Sequence, residues 1–193
     1  MKTAREEKRA VLVALLRGIN VGTAKRVAMA DLRALMERLG YAGVRTLLNS
    51  GNVMFSAARA EPREAAQRIE KGLAAQLGVS ARVTVISAAE LEEIVATNPL
   101  SDVAENPSRL LVGILNDPAD GAKLGEIVAK DWGDERVVLG SLRAGGAARA
   151  LYMWMPRGVI QGRLNAAVSK ALKDGVTARN WSTMLKLKEM TEA

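Results

Sequence analysis

The stretch Arg17-Gly18-Ile19-Asn20-Val21-Gly22, followed by Lys25-Arg26, has residue types suited to holding an anion. Glycines let backbone N–H groups turn inward, and a helix start beyond them adds partial positive charge. It is neither a nucleotide-binding P-loop, lacking GK[ST], nor the dinucleotide GxGxxG pattern. The plainer alternative is that Gly18 and Gly22 serve backbone geometry and Asn20 caps a turn. Asn49-Ser50-Gly51-Asn52 forms a second polar cluster, made of residues that tight turns also favour for conformational reasons. Ser50 could act as a nucleophile only with a Lys or Asp base, and none is near in sequence. A third cluster, Thr177-Ala178-Arg179-Asn180-Trp181-Ser182-Thr183, reads as the start of a terminal helix capped by Thr177. Arg179 and Asn180 would then lie in its first turn, where free N–H groups favour an anion. A salt bridge from Arg179 to the acidic middle of the chain is the alternative. Trp181, Met184 and Leu185 share one face and read as core.

Composition narrows the chemistry further. The 193 residues contain no cysteine and no histidine. Disulfides, thiolate nucleophiles, Cys/His zinc sites and Ser-His-Asp catalysis are all excluded. Any acid, base or nucleophile must be Asp, Glu, Lys, Tyr, Ser or Thr. The carboxylate pairs Glu92-Glu93 and Asp134-Glu135 read as exposed, so no metal site is expected, and no motif calls for a cofactor. Net charge is +7, spread unevenly: residues 1–57 carry +6, residues 58–141 carry −5 and residues 142–193 carry +6. Basic ends favour phosphate-bearing partners, either an anionic small molecule or nucleic acid. Aromatics are 3% of the chain, and no strand carries the paired stacking rings of an RNA-recognition sheet, so nucleic acid would be held through its backbone charge.

The elements that must position these residues follow from periodicity. Val11–Leu16 is an apolar strand. The run Ala10–Leu16 ends at Arg17-Gly18 with no small-residue cleavage site, which reads as a buried strand rather than a signal peptide. No apolar run nears the roughly 18 residues of a membrane span, so a cytoplasmic protein is expected. Met29, Leu32, Leu35, Met36 and Leu39 mark an amphipathic helix closed by Gly40. Val44–Asn49 and Asn52–Ala57 flank Ser50-Gly51 as a hairpin. A helix over Glu61–Leu77 and a strand over Arg82–Ser87 complete β-α-β-β-α-β, the ferredoxin-like order. A linking helix, Ala88–Thr97, precedes Leu100–Ser108, a stretch with the composition of a domain boundary.

The second half repeats the plan: strand Arg109–Asn116, helix Ala119–Asp131, strands Glu135–Ser141 and Arg149–Met155 around a Gly145-Gly146 loop, and helix Arg163–Lys173. The predicted fold class is α+β, with two ferredoxin-like (βαββαβ-type) subdomains, antiparallel sheets and a C-terminal helix. The expected domains are 1–99 and 100–193. With the terminal helix in place of a last strand, that helix is expected to cross back and bring the two basic ends together.

The segments LLRGINVG, MADLRALMERLGY, LNSGNVMF and TARNWSTMLKL together resemble the bacterial family known as domain of unknown function 1697, over about Val11 to Leu187. The resemblance implies two ferredoxin-like subdomains and carries over no activity, cofactor or catalytic residue. This chain departs from the family pattern at Thr23, where a second Gly is usual, and at Leu47, where Tyr is frequent. It departs again at Gly162-Arg163, where Ser-Lys is common. The functional expectation is a binding module for an anionic, phosphate-bearing ligand. Its candidate contacts are Arg17, Gly18, Asn20, Gly22, Lys25, Arg26, Ser50, Asn52, Arg179 and Asn180. The alternatives are a metal-independent enzyme on a small anionic substrate and an oligomerisation scaffold, since this fold hosts many functions.

Overall fold

A computed structural model describes residues 9–22, 25–59, 61–141 and 147–193. The charged start before residue 9, Thr23 and the Gly145-Gly146 loop lie outside these. The chain divides into two compact units, one through Ala88 and one from Ala89. The division falls at the start of the linking helix, ahead of the Leu100–Ser108 stretch.

The first unit runs β1 (Ala10–Leu16), α1 (Met29–Arg38), β2 (Ala42–Leu47), β3 (Asn52–Ala57), α2 (Pro62–Leu77) and β4 (Val83–Ser87). Its sheet has the order β2-β3-β1-β4 and every pairing is antiparallel. Alternation explains the packing: Leu12, Ala14 and Leu16 of β1 face the core with Val53 and Phe55 of β3. Leu32, Leu35 and Met36 of α1 and Ile69 and Leu73 of α2 close over them. Each fully buried side chain of this size stabilises by about 1.5–3 kcal/mol. The two helices approach closely at Gly72, where an added Cβ would stand 3.0 Å from Leu35 Cδ1. Gly78 ends α2 in the left-handed conformation.

The second unit begins in α3 (Ala88–Ala96) and continues through β5 (Leu110–Leu115), a 3-10 turn (Pro118–Leu124), α4 (Gly125–Ala129), β6 (Arg136–Ser141), β7 (Ala147–Trp154), α5 (Arg163–Leu172), β8 (Val176–Asn180) and α6 (Trp181–Glu192). Its order, β6-β7-β5-β8, repeats that of the first sheet position for position. The predicted helix over Ala119–Asp131 is broken into the 3-10 turn and a five-residue α4. Gly121 and Gly125 fall inside that span, and each costs a helix about 1 kcal/mol relative to Ala. Arg149 clamps α3 through a two-pronged ion pair with Glu90, both contacts at 2.8 Å. Tyr152 adds a buried bond from its hydroxyl to the Ile94 carbonyl at 2.6 Å. Burial raises the Tyr152 pKa, keeping that hydroxyl a donor.

The expected missing strand is present. Val176–Asn180 is β8, paired with β5 from Leu115↔Val176 to Leu111↔Asn180. Thr177 is buried at 1% exposure within that strand, so the predicted helix cap is wrong, and α6 starts at Trp181. The physical reason lies in β5, which is buried along its whole length. Without β8 one edge of its backbone donors and acceptors would be buried unpaired. The β-branched Val176-Thr177 supplies the local preference. With this correction goes the reason for expecting α6 to cross back in place of a strand.

Candidate anion-binding site

Beyond β1 the chain turns, among the described residues, through four in the left-handed region, Gly18, Asn20, Gly22 and Lys25, at φ 66°, 56°, 63° and 52°. Asn is among the few side-chain-bearing residues that visit this region at small cost. Here its amide also closes the loop. Nδ2 donates to the carbonyls of Val27 at 2.9 Å and Asn49 at 2.7 Å, and Oδ1 accepts from Val27 N–H at 2.9 Å. Both amide hydrogens are therefore spent on the loop, and the role of Asn20 is to tie the β1–α1 loop to the β2–β3 turn. Asn20→Ala removes all three bonds. The expected result is a loss of about 2–3 kcal/mol in urea unfolding, together with faster hydrogen exchange at Val27.

The β2–β3 turn spans Leu48–Gly51, longer than the expected Ser50-Gly51 pair, with Leu48 and Gly51 left-handed. Gly51 is seated under the first loop: its carbonyl accepts from Leu16 N–H at 2.8 Å. Asn52 is fully buried and donates to the Leu47 carbonyl at 2.9 Å and to Ser50 Oγ at 3.0 Å. An amide donor on Ser50 Oγ does not abstract its proton, so this contact gives the hydroxyl no activation. Arg17 is half-buried at the end of β1, where its N–H donates to the Arg82 carbonyl at 2.8 Å.

Lys25 and Arg26 are exposed on the way into α1. That helix begins after Ala28, which has no side chain able to cap it, so its first-turn N–H groups keep their unmet donor capacity. A groove of about 410 Å3 opens there, lined by Asn20, Arg26, Val27, Ala28, Met29 and Asn49. Arg26 has no carboxylate partner among the described residues. Asp31, in the same first turn, is exposed and outside the groove lining.

Arg179 and Asn180 belong to the second unit, on β8 rather than on a helix. Arg179 pairs in register with Val112 and donates from Nη1 to the Ala178 carbonyl at 2.9 Å. Asn180 precedes α6 without a side-chain capping bond.

Two features had no sequence signal. Glu135, expected exposed, is only 3% exposed, and its carboxylate accepts the N–H groups of Arg163 at 3.1 Å and Leu164 at 3.0 Å at the start of α5. Its partners stand nearly thirty residues away, beyond any local spacing rule. Gly162-Arg163, the departure from the family pattern, has a packing cause. A Cβ at 162 would stand 2.5 Å from Met155 Sδ, and Arg163 lies 5.9 Å from the Trp132 ring centre while donating to the Trp132 carbonyl at 3.2 Å. Among the described residues no group of acidic, His or Cys side chains could hold a metal ion, and no helix is long and apolar enough to cross a membrane.

Fold and loop together define a tandem ferredoxin-like protein with a glycine- and asparagine-built loop after its first strand. The chain belongs to the family described as "Protein of unknown function (DUF1697)", whose model matches residues 10–143. Among solved structures it is similar to the conserved bacterial protein SP0830 from Streptococcus pneumoniae. The identity is 20%, with 94% of this chain and 98% of that one covered at a TM-score of 0.75, a likeness of fold. No curated protein matches the chain.

Proposed function

We propose that the protein is a binding module for an anionic, phosphate-bearing ligand, held in the groove at the start of α1. The observation that carries this is a contrast between the two crossovers that follow the first strand of each unit. After β5, Asp117 fills the helix start with its own carboxylate, accepting Ala119 N–H at 2.9 Å. After β1 the equivalent start is left open, with Ala28 at the cap and Arg26, which has no carboxylate partner among the described residues, beside it. Helix N–H groups and a guanidinium converging on one groove are complementary to a phosphate. Asn20 and Asn52 support the groove from behind, while Arg26 and the first-turn amides of α1 make the contacts.

The test is an amide-resolved NMR titration with pyrophosphate. Saturable shifts are expected at residues 28–31, and Arg26→Ala should weaken binding about ten-fold or more, the worth of a hydrogen bond to a charged group. Shifts confined to other surfaces, or an Arg26→Ala protein that binds as well as the original, would overturn the proposal. A nucleic acid presents the same phosphate chemistry repeated along a chain. Its binding would fall steeply and log-linearly with salt, whereas a single phosphate group would give a shallow slope.

A further inference from the structure

Two side chains beside the groove at α1 are out of place on water-facing loops. Val21 is 70% exposed and Leu48 is 55% exposed, and they are the exposed large apolar side chains among the described residues of the first unit. Val21 lies in the β1–α1 loop, and Leu48 opens the β2–β3 turn. The 2.7 Å bond from Asn20 Nδ2 to the Asn49 carbonyl joins the residues next to them, so both tips stand at one end of the sheet. The pairing of Leu15 with Asn52 brings the same strand ends together. Leu48 is disfavoured on two counts. Its φ of 58° is left-handed, a region that Gly or Asn enters far more easily, and its apolar side chain meets water. Gly or Asn would relieve both costs, so a leucine at this position points to a use outside the folded chain.

The same end is basic. Lys25 and Arg26 are exposed, and the sequence has no acid at 17–28 or 48–51. The first acid after them is Asp31, exposed in the first turn of α1. Three kinds of partner cover apolar tips flanked by cations, and size and chemistry separate them. A stable protein interface buries roughly 800 Å2 on each partner, far more than two side chains supply. A single-stranded nucleic acid stacks its bases on aromatic rings, whereas these tips carry Val and Leu. A bilayer surface asks for neither area nor rings. Isolated apolar side chains enter the boundary between headgroups and acyl chains, while Lys and Arg meet anionic lipid phosphates.

We propose that this end of the first unit docks on an anionic lipid surface. Val21 and Leu48 enter the headgroup boundary, and Lys25 and Arg26 meet lipid phosphates. The proposal rests on the reading of the groove at α1 as a phosphate site and names its ligand, the phosphate of a lipid headgroup. Docking is peripheral and reversible, because two side chains and two cations are far less than an anchor.

The test is flotation of the full chain with vesicles of equal parts phosphatidylglycerol and phosphatidylcholine, against vesicles of phosphatidylcholine alone. The protein should float with the first, stay below with the second, and release the anionic vesicles as salt is raised. Val21→Ser combined with Leu48→Asn, an asparagine being able to hold the left-handed turn, should weaken vesicle binding about ten-fold and leave pyrophosphate binding unchanged. Arg26→Ala should weaken both, vesicle binding by about five-fold. Pyrophosphate binding without vesicle binding would overturn the lipid surface and leave the groove reading standing. Absence of pyrophosphate binding would overturn that reading, and the headgroup assignment with it. Undiminished vesicle binding by the double variant, equal binding to neutral vesicles, or displacement of the vesicles by a single-stranded oligonucleotide at equal phosphate concentration would each overturn the proposal.

Discussion

Gly51→Ala should destabilise the first unit by about 2–5 kcal/mol, although it adds a single methyl group. Two independent costs meet at this position. At φ 76° the backbone is left-handed, which costs an alanine about 1–2 kcal/mol. The new Cβ would also stand 2.8 Å from Leu16 Cβ and 2.7 Å from Ile19 Cδ1. Ile19 can rotate away in part, but Leu16 Cβ moves only with the β1 backbone, and that movement strains the 2.8 Å bond from Leu16 N–H to the Gly51 carbonyl. Urea unfolding measures the sum. Gly51→Asn separates the parts, because Asn tolerates the left-handed region and still carries a Cβ. If crowding against Leu16 and Ile19 outweighs backbone strain, Asn should be nearly as harmful as Ala. Recovery of most of the stability with Asn would show that backbone conformation alone demands glycine. Either substitution should also displace Asn49 and so disturb the groove at α1, linking this turn to ligand binding.

The fold was legible where periodicity and turn chemistry agree. Leu12, Ala14 and Leu16 alternate, Leu32, Leu35 and Met36 recur at helical steps, and Gly78 closes α2; each is a local signal, and each element stands where it was expected. The two-unit plan was legible in the repeated element order, and the family resemblance implied the same plan. Val176–Asn180 misled because the same five residues offer a capping Thr to a helix and β-branched side chains to a strand. The decision is made by β5, some sixty residues earlier, which needs a partner. At the candidate site, the sequence marked the right loops but not the division of labour. Asn20 and Asn52 look like ligand contacts by type, yet their amides are consumed by backbone carbonyls and by Ser50. The groove depends on what is absent from Ala28, a capping side chain, and absence of a cap does not stand out in a row of letters.

Glu135→Ala should cost about 3 kcal/mol or more, the larger part from groups that the substitution leaves behind. Among the described residues, the Glu135 carboxylate is the side-chain acceptor for the N–H groups of Arg163 and Leu164, and the Leu164 bond is buried from water. Its negative charge also sits at the positively polarised end of α5, a favourable placement worth about 0.3–2 kcal/mol. Removing it leaves two orphan donors and a cavity beside the α5 start. Glu135→Gln tests which of these matters most. The glutamine carbonyl can still accept one N–H, but its NH2 would face the other donor, so about half the loss should remain. Equal losses for Ala and Gln would mean that charge, rather than acceptor number, holds the helix. A change under about 0.5 kcal/mol for Glu135→Ala would mean that water replaces the carboxylate. The burial of this helix start would then be shallower than the 3% exposure of Glu135 implies. The same reasoning bears on α1. If a carboxylate is worth this much at the α5 start, the uncapped start of α1 is a place where an external anion has something to gain.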